Sequence, residues 1–373
     1  MRNLLNVTNQ LDAKLAGNTL EQQIKRYVLN STWSEERDNE IPEDQSIERR
    51  IIDLAKRAHD EFANFLPLIN ELTHIEGNKL YQFGLEIGRR DKSRKFLKHI
   101  LDSQCDVGDK VQTQFIGGYL LALREASESD WEALIIKLLF DEEIYEIAGQ
   151  LIWRTGVNDN VLRQMLKAFA QGVLKPSDFT VLRFSQNIST LNQGLVKETL
   201  STLLTSDAKE ASFIALEIAD TLYNDKNVIR KMPMDFGFDL LTTPDFFADD
   251  LDTMQSYHWG ELAKTYITTY PGKALEIFKS IMTHLENWRF MTLKTTNVFH
   301  SITEQIAKAN PAAAWKIIET LLGDLNTKLA HGILRWLEEE LSFGEESGIR
   351  PLTYFPMAAV FKWIDGKPGT STM

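Results

Sequence analysis

Two helix-like segments that begin alike and lie 40 residues apart constrain the fold of this chain most. The first begins at Pro271 and the second at Pro311. Small or apolar residues occupy the same positions in both, and the matched pairs are Ala274 and Ala314, Ile277 and Ile317, Phe278 and Ile318, Ile281 and Leu321, Met282 and Leu322, and Leu285 and Leu325. A period near 40 residues is typical of two-helix repeats. The pair therefore predicts an architecture, but it does not indicate a chemistry.

Helical spacing of apolar residues continues through most of the chain, and glycines interrupt it at two places. Gly84 and Gly88 lie four residues apart, and Gly117 and Gly118 are adjacent within another helical segment. Small residues let a neighbouring helix approach closely, although each costs roughly 1 kcal/mol in helix propensity. No sustained period-two alternation bounded by hairpin turns is present. The sequence therefore predicts an all-α fold, an irregular α-solenoid of helix pairs, with a multi-helix bundle as the alternative.

Changes in composition divide the chain into five parts. These are an N-terminal helical segment with an acidic linker (1–45), a helical-repeat region (46–231), an irregular connection rich in Asp and Phe (232–256), a second helical-repeat region (257–365) and a flexible tail (366–373). The linker is expected at 33–45, which is acidic, contains Pro42 and is nearly free of apolar residues.

The charge balance limits the class of partner. The chain has 53 acidic and 41 basic residues, a formal net charge of −12, which argues against a general nucleic-acid binder. Cys105 is the only cysteine, so an intramolecular disulfide and a Cys-based zinc site are excluded. The N-terminus has no secretory pattern, and no window reaches the ~18 to 20 apolar residues of a membrane-spanning helix. We therefore expect a soluble cytoplasmic protein without a membrane partner.

Seven basic residues between Arg89 and His99 form the one dense basic run. If this run is helical, Arg90, Arg94 and Lys98 share a stripe that could hold phosphate or an acidic partner. The alternative is a solvated helix face opposite the apolar side of the same helix. The three residues are candidates for partner binding.

The segment 232–254 breaks the helical regularity with two prolines, six aspartates and four phenylalanines. Functional loops often interrupt a regular scaffold in this way. The candidate contact residues here are Phe236, Phe238, Asp245, Phe246 and Phe247. The alternative is a structured connection whose phenylalanines pack inward and whose aspartates cap helices.

The last helical segment, 356–365, carries one charge before Asp365 and contains Trp363. Terminal repeats normally need a polar outer face. We therefore expect a buried cap, a surface for a partner or a second copy, or the end of a chain cut from a longer array. Trp363 is the candidate contact residue.

The sequence lacks the motifs of common enzyme classes: the Gly-x-Ser-x-Gly elbow, the phosphate-binding loop, the dinucleotide fingerprint and His-Glu-x-x-His. Glu71 and His74 form one Glu-x-x-His step, whereas di-iron bundles use two. His59 and Asp60 lack further ligands in register. The tryptophans that recur from Trp131 to Trp363 are interpreted as core. We predict no catalytic residue, no metal ligand and no cofactor.

The matched helices at Pro271 and Pro311, each followed by a second helix, resemble HEAT- or armadillo-like repeats over about 75 residues. The resemblance implies a curved α-solenoid whose inner surface binds a partner. The chain also resembles helical-repeat portions of large bacterial multidomain proteins, such as sensor or defence proteins.

Three functional hypotheses follow. The first is a non-catalytic protein-binding scaffold or recognition module. The second is an all-helical metal-dependent hydrolase built from scattered His, Asp and Glu residues. The third is a nucleic-acid adaptor that uses the Arg89–His99 run.

Overall fold

The computed structural model describes residues 19–30, 46–105, 112–142, 144–208, 210–226, 228, 237–248, 251–285, 293–323, 326–338 and 350–365. Every regular element in these ranges is a helix, so the predicted all-α class is confirmed. The predicted linker at 33–45 and tail at 366–373 lie outside the described residues. The chain divides into two units, Met1–Val181 and Leu182–Met373.

Nine α-helices are described in the first unit. They are α1 Leu20–Ile24, which continues as a π-helical turn Lys25–Leu29, α2 Ile47–Asp60, α3 Phe62–Leu72, α4 Leu80–Arg90, α5 Leu97–Cys105, α6 Gln114–Ala126, α7 Glu128–Leu139, α8 Tyr145–Thr155 and α9 Asp159–Ala170. A 3-10 helix, Pro176–Arg183, follows. Alternate helices contact one another: α2, α4, α6 and α8 pack in succession, α3 packs on α5, and α7 packs on α9.

Polar side chains fix several helix starts in the first unit. Thr19 and Gln22 form a capping box at α1, as the sequence allows. Ser46 accepts the N–H of Arg49 and caps α2. Ser127 accepts the N–H of Asp130 and caps α7. These side chains satisfy N–H groups that the helix itself leaves without partners.

Glycines bring α4 and α6 into backbone contact. A Cβ at Gly84 would lie 2.1 Å from the carbonyl oxygen of Phe115, and one at Gly118 would lie 2.0 Å from that of Tyr81. A Cβ at Gly88 would lie 2.7 Å from the Cβ of Ala122. The close approach that the glycine pattern predicts is therefore present between these two helices.

Phenylalanine rings fill the space between the helix rows of the first unit. Phe65 lies edge-on to Phe83 at 5.9 Å, to Phe96 at 5.5 Å and to Phe115 at 6.3 Å, measured between ring centroids. All four rings are fully buried. Such pairs contribute about 0.5–1.5 kcal/mol each beyond the area that they bury.

Eleven α-helices are described in the second unit. They are α10 Ser185–Ile188, α11 Gln193–Leu204, α12 Ala211–Asn224, α13 Gly237–Leu241, α14 Asp245–Ala248, α15 Thr253–Thr269, α16 Ala274–Thr283, α17 Leu293–Ala309, α18 Pro311–Gly323, α19 Thr327–Glu338 and α20 Met357–Asp365. Short 3-10 helices precede α16 and α20, at Pro271–Lys273 and Pro351–Tyr354. The helices α12, α15 and α17 pack in succession, as do α16, α18 and α20.

The two matched segments form equivalent helices. α16 and α18 pack against each other, and each packs on α17. Buried residues stand at matched positions, namely Ala274 and Ala314, Phe278 and Ile318, and Ile281 and Leu321. The helices predicted to follow them are present as α17 and α19.

Side-chain hydrogen bonds in both units join residues that lie 33 to 41 positions apart. In the first unit Arg89 binds Glu125 and Thr113 binds Gln150. In the second unit Ser212 donates to Asp245 and Thr265 donates to Asn224. These separations are those expected when one helix pair packs on the next, and they are close to the spacing of Pro271 and Pro311.

The contact between α4 and α6 leads to a stability prediction. We expect Gly118→Ala to lower the free energy of unfolding by about 3 kcal/mol, because the atoms it meets belong to backbone that cannot move aside. Gly272→Ala is the control, since nothing lies within 4 Å of a Cβ there. Urea denaturation of both variants provides the measurement. Equal stabilities of Gly118→Ala and Gly272→Ala would contradict the described packing.

A buried histidine leads to a pH prediction for the second unit. Trp336 donates its indole N–H to Nδ1 of His300 at 2.8 Å, and burial lowers the pKa of His300 to about 4, an effect that the Glu304 carboxylate partly offsets. The unfolded chain takes up this proton below about pH 6.5, whereas the folded chain does so only near pH 4. His300 therefore does not affect the free energy of unfolding above pH 6.5, and it lowers that free energy by up to ~3 kcal/mol as the pH drops to 4.

Denaturation between pH 7 and pH 4 checks this. His300→Gln keeps an acceptor for Trp336. We expect this variant to lose up to ~3 kcal/mol less of its free energy of unfolding than the unaltered chain between pH 7 and pH 4. His331→Gln, at an exposed position on α19, is the control and should leave the dependence unchanged. If both variants behave like the unaltered chain, the assignment to His300 is wrong.

Candidate functional site: a polar groove in the first unit

Helix α8 presents two adjacent rows of side chains to a cavity of about 660 Å³. Residues four apart lie on one helix face, and this spacing produces both rows. One row consists of Tyr145, Gly149 and Trp153, and the other consists of Glu146, Gln150 and Arg154. The opposite wall is the segment 172–180, which includes the start of the 3-10 helix Pro176–Arg183. We call this cavity the α8 groove.

The groove depends on a glycine at its centre. A Cβ on Gly149 would lie 2.1 Å from Oδ1 of Asp178. The other carboxylate oxygen, Oδ2, accepts the backbone N–H of Lys175 at 2.7 Å, which fixes the turn that enters the 3-10 helix. Burial raises the pKa of the Asp178 carboxyl, and the Lys175 contacts only partly offset this. The absent side chain at Gly149 is what allows the two walls to approach.

Helix α6 holds the Arg154 side chain in place. The Cδ atom of Arg154 lies 2.5 Å from where a Cβ would stand on Gly117, so only glycine allows the arginine side chain to cross there. Its Nε donates to Oγ1 of buried Thr113 at 2.7 Å, and Thr113 donates to Oε1 of Gln150 at 3.1 Å. The Arg154 carbonyl accepts the hydroxyl of Tyr81 at 2.9 Å. Contacts with α6 and the residue before it therefore fix the guanidinium, while Tyr81 of α4 holds the backbone of Arg154.

Arg154 has no counter-ion within 4.0 Å among the described residues. Burial lowers the pKa of its guanidinium, and the Tyr81 hydroxyl opposes this only in part. Other arginines of the described chain have carboxylate partners, namely Arg49, Arg57, Arg89, Arg90, Arg94, Arg124 and Arg183. A half-buried cation without an anion is costly, so we expect this side chain to lower stability where it stands.

Trp153 lies beside Arg154 and is 46% exposed. The guanidinium carbon of Arg154 lies 5.8 Å from the indole centroid. We interpreted this tryptophan as core from its sequence, and that interpretation is wrong for Trp153. Tyr145 lines the groove on the same row of α8. Tryptophan, tyrosine and arginine are the residue types that dominate binding energy at protein interfaces.

The basic run does not form one helical stripe. α4 ends at Arg90 and α5 begins at Leu97, so the predicted stripe of Arg90, Arg94 and Lys98 is wrong as a single helix face. The buried Asp91 carboxylate causes the break, because it accepts the N–H groups of Lys95 and Phe96 and the hydroxyl of Tyr119. Arg94 adopts a left-handed conformation in this turn, with φ of 58°.

Acidic residues pair with the three arginines of the same run. Arg89 pairs with Glu125 and Glu86, and Arg94 pairs with Asp130. Arg90 pairs with Glu86 on its own helix, while Lys98 is exposed. The charges of these three arginines are therefore compensated by carboxylates.

The Asp/Phe segment is a structured connection where it is described. Phe246 and Phe247 are buried in the second unit, Phe238 is half-buried and Asp245 is exposed. Phe247 stacks on Phe299 at 5.4 Å. Asp252 caps α15 in a capping box with Gln255, and Asp245 accepts the hydroxyl of Ser212. Phe236 lies outside the described residues. The rings of Phe246 and Phe247 therefore contribute to the core and not to a surface.

The last helix exposes an apolar row. Met357, Phe361 and Ile364 on α20 are exposed and share one helix face. Trp363 is half-buried, with its ring edge-on to Trp315 at 6.3 Å. Contact of this helix with a partner or a second copy stays a prediction.

A second polar cluster joins α12 and α15. Asp220 accepts from Nδ1 of His258 at 2.6 Å and from the amide of Asn224 at 2.5 Å. Burial raises the pKa of nearby Glu217, although the charges of Arg183 and His258 oppose this. Nε2 of His258 is buried, and general-base catalysis needs a nitrogen within reach of a substrate. The pair therefore serves to join the two helices.

The other sequence candidates for chemistry have local roles. His74 contacts Thr73 and the carbonyl oxygen of Asn70 through Nδ1, at the end of α3. His59 lies 3.5 Å from Asp60 and packs against Phe96. Within the described ranges, no three His, Cys, Asp or Glu side chains are grouped so that they could hold a metal ion.

No family model, curated protein or solved structure matches this chain. None of the described helices combines the length and the hydropathy that crossing a bilayer requires.

The missing counter-ion of Arg154 leads to a stability prediction. We expect Arg154→Met to raise the free energy of unfolding by about 1 kcal/mol, because methionine keeps the contact with Gly117 and removes the uncompensated charge. Arg89→Met is the control and should leave stability unchanged or lower it slightly, since Arg89 has two carboxylate partners. A loss of stability in Arg154→Met larger than in Arg89→Met would contradict this account.

Proposed function

We propose that this chain is a cytoplasmic helical-repeat recognition module that binds a partner protein through the α8 groove. The observation that carries the proposal is Arg154, a half-buried guanidinium without a counter-ion beside a tryptophan that is 46% exposed. A residue that lowers stability where it stands is typical of a binding site, where the ligand supplies the missing interaction.

The architecture supports this proposal. Side-chain contacts between residues 33 to 41 positions apart occur in both units, and alternate helices pack in succession. We propose that these units are stacked helix pairs of the HEAT or armadillo kind, as the Pro271 and Pro311 pair suggests. Such arrays use surfaces built from several successive repeats to bind their partners. The α8 groove is a surface of this kind, because its wall depends on α6 and α8 together.

The two alternative functions have less support. Three of the seven basic residues between Arg89 and His99, namely Arg89, Arg90 and Arg94, are paired with carboxylates, which weakens the positive field that a nucleic-acid adaptor needs. For a metal-dependent hydrolase, the described residues offer no ligand cluster.

Site-specific crosslinking tests the proposal. A benzophenone amino acid placed at Tyr145, inside the groove, should crosslink a discrete protein in the cells that express this chain. The same amino acid at Phe140, an exposed position outside the groove, should not. The captured protein is then identified by mass spectrometry and purified for affinity measurements.

With that purified partner, we expect Trp153→Ala to weaken binding by about 30-fold or more, as for an interface hot spot. Phe140→Ala removes an aromatic ring of similar exposure, 42% against 46%, and should change the affinity by less than about threefold. Equal crosslinking from both positions, or equal effects of the two alanine variants, would refute binding through the groove.

A further inference from the structure

The hydrogen bonds of Arg154 determine what kind of anion it can bind. Its Nε already donates a hydrogen bond to Thr113, and the two terminal nitrogens have no acceptor among the described residues. Two parallel N–H groups at the end of a guanidinium match the two oxygens of a carboxylate. Because Thr113 and Gly117 fix the side chain, this pair of donors is held in place before any ligand binds.

Acidic residues of the groove limit the charge of the ligand. Glu146 and Asp178 line the same cavity, and neither lies within ion-pair distance of Arg154. Their carboxylates would repel a second negative charge on a ligand. Lys175 is the other cationic residue of the lining, and its side chain is exposed. The groove therefore favours a ligand with one negative charge at Arg154 and neutral or basic groups beside it.

Trp153 favours a ligand that has an apolar group next to its anion. Its indole is 46% exposed and borders Arg154 at 5.8 Å. A ligand residue adjacent to the acidic one can cover this ring, which removes apolar surface from water. The cavity of about 660 Å³ lies within the range of sites for drug-sized ligands and is larger than one acidic side chain needs.

We propose that the α8 groove recognises a single acidic side chain, Asp or Glu, in a short segment of the partner protein, next to an apolar or aromatic residue. The terminal nitrogens of Arg154 hold the carboxylate, and Trp153 packs against the neighbouring residue. This inference rests on the proposed function and specifies the chemistry that the groove selects.

Selection from a display library of random linear peptides tests the inference. The full chain serves as bait, and peptides that still bind the Trp153→Ala variant are discarded. One selected peptide is then compared with a copy that has glutamine or asparagine in place of its acid. Both are titrated against the unaltered chain and against Arg154→Met.

The expected result is a coupled loss. Replacing the peptide acid by its amide should weaken binding about tenfold or more, and so should Arg154→Met. Combining the two changes should weaken it no further, because both remove the same interaction. Arg154→Lys should restore only part of the affinity, since lysine keeps the charge but cannot donate two parallel hydrogen bonds to a carboxylate. Arg163→Met, at an exposed arginine outside the groove, should leave the affinity unchanged.

Other outcomes separate the two proposals. Peptides that depend on Trp153 but are indifferent to Arg154 would overturn the acidic determinant and leave the binding groove in place. Additive losses in the cycle would also overturn it. A peptide that binds at least about tenfold more tightly with phosphoserine than with its acid would assign the site to phosphate instead. Failure to select any peptide that depends on Trp153, together with a negative crosslinking result at Tyr145, would overturn both proposals.

Discussion

The backbone contact between α4 and α6 is the constraint on which the first unit depends. Gly84 and Gly118 have no side chain where the two helices meet, and any Cβ there would overlap a carbonyl oxygen of the other helix. This approach sets the position of α6, which supplies Gly117 and, just before its first residue, Thr113. Those two residues in turn hold the Arg154 side chain of α8. The groove at α8 therefore depends on the packing of α4 against α6.

The same logic explains why an unfavourable charge persists in this place. Elsewhere in the described chain, Arg89 meets Glu125 and Arg94 meets Asp130, and both carboxylates belong to later helices. At Arg154 the neighbouring positions are a glycine, a threonine and a glutamine, which orient the guanidinium without neutralising it. A fixed donor pair without an anion is preorganised for a ligand that brings one. In the proposed function, the ligand's anion compensates this cost to folding.

Sequence patterns predicted the parts of this structure that depend on neighbours along the chain. The periodic apolar residues at Pro271 and Pro311 predicted two equivalent helices, and the paired glycines predicted close packing. Contacts between distant positions had no such signal. Arg154 and Thr113 are 41 residues apart, which is close to the repeat spacing, but their residue types do not mark these two positions as partners. The break after Arg90 depends on a buried aspartate that binds two backbone N–H groups, so helical periodicity alone extended the basic stripe too far. Trp153 had a weak signal, since an arginine follows it and a glycine lies four residues earlier.

Hydrogen–deuterium exchange of the chain, alone and bound to its purified partner, tests the central claim most directly. Exchange reports how strongly each backbone segment is protected. We expect binding to slow exchange at 145–155 and 172–180, the two walls of the groove, and to leave the Asp220 and His258 region of α12 and α15 unchanged. Protection confined to other segments, with both groove walls exchanging as in the free chain, would contradict the assignment of function to this groove.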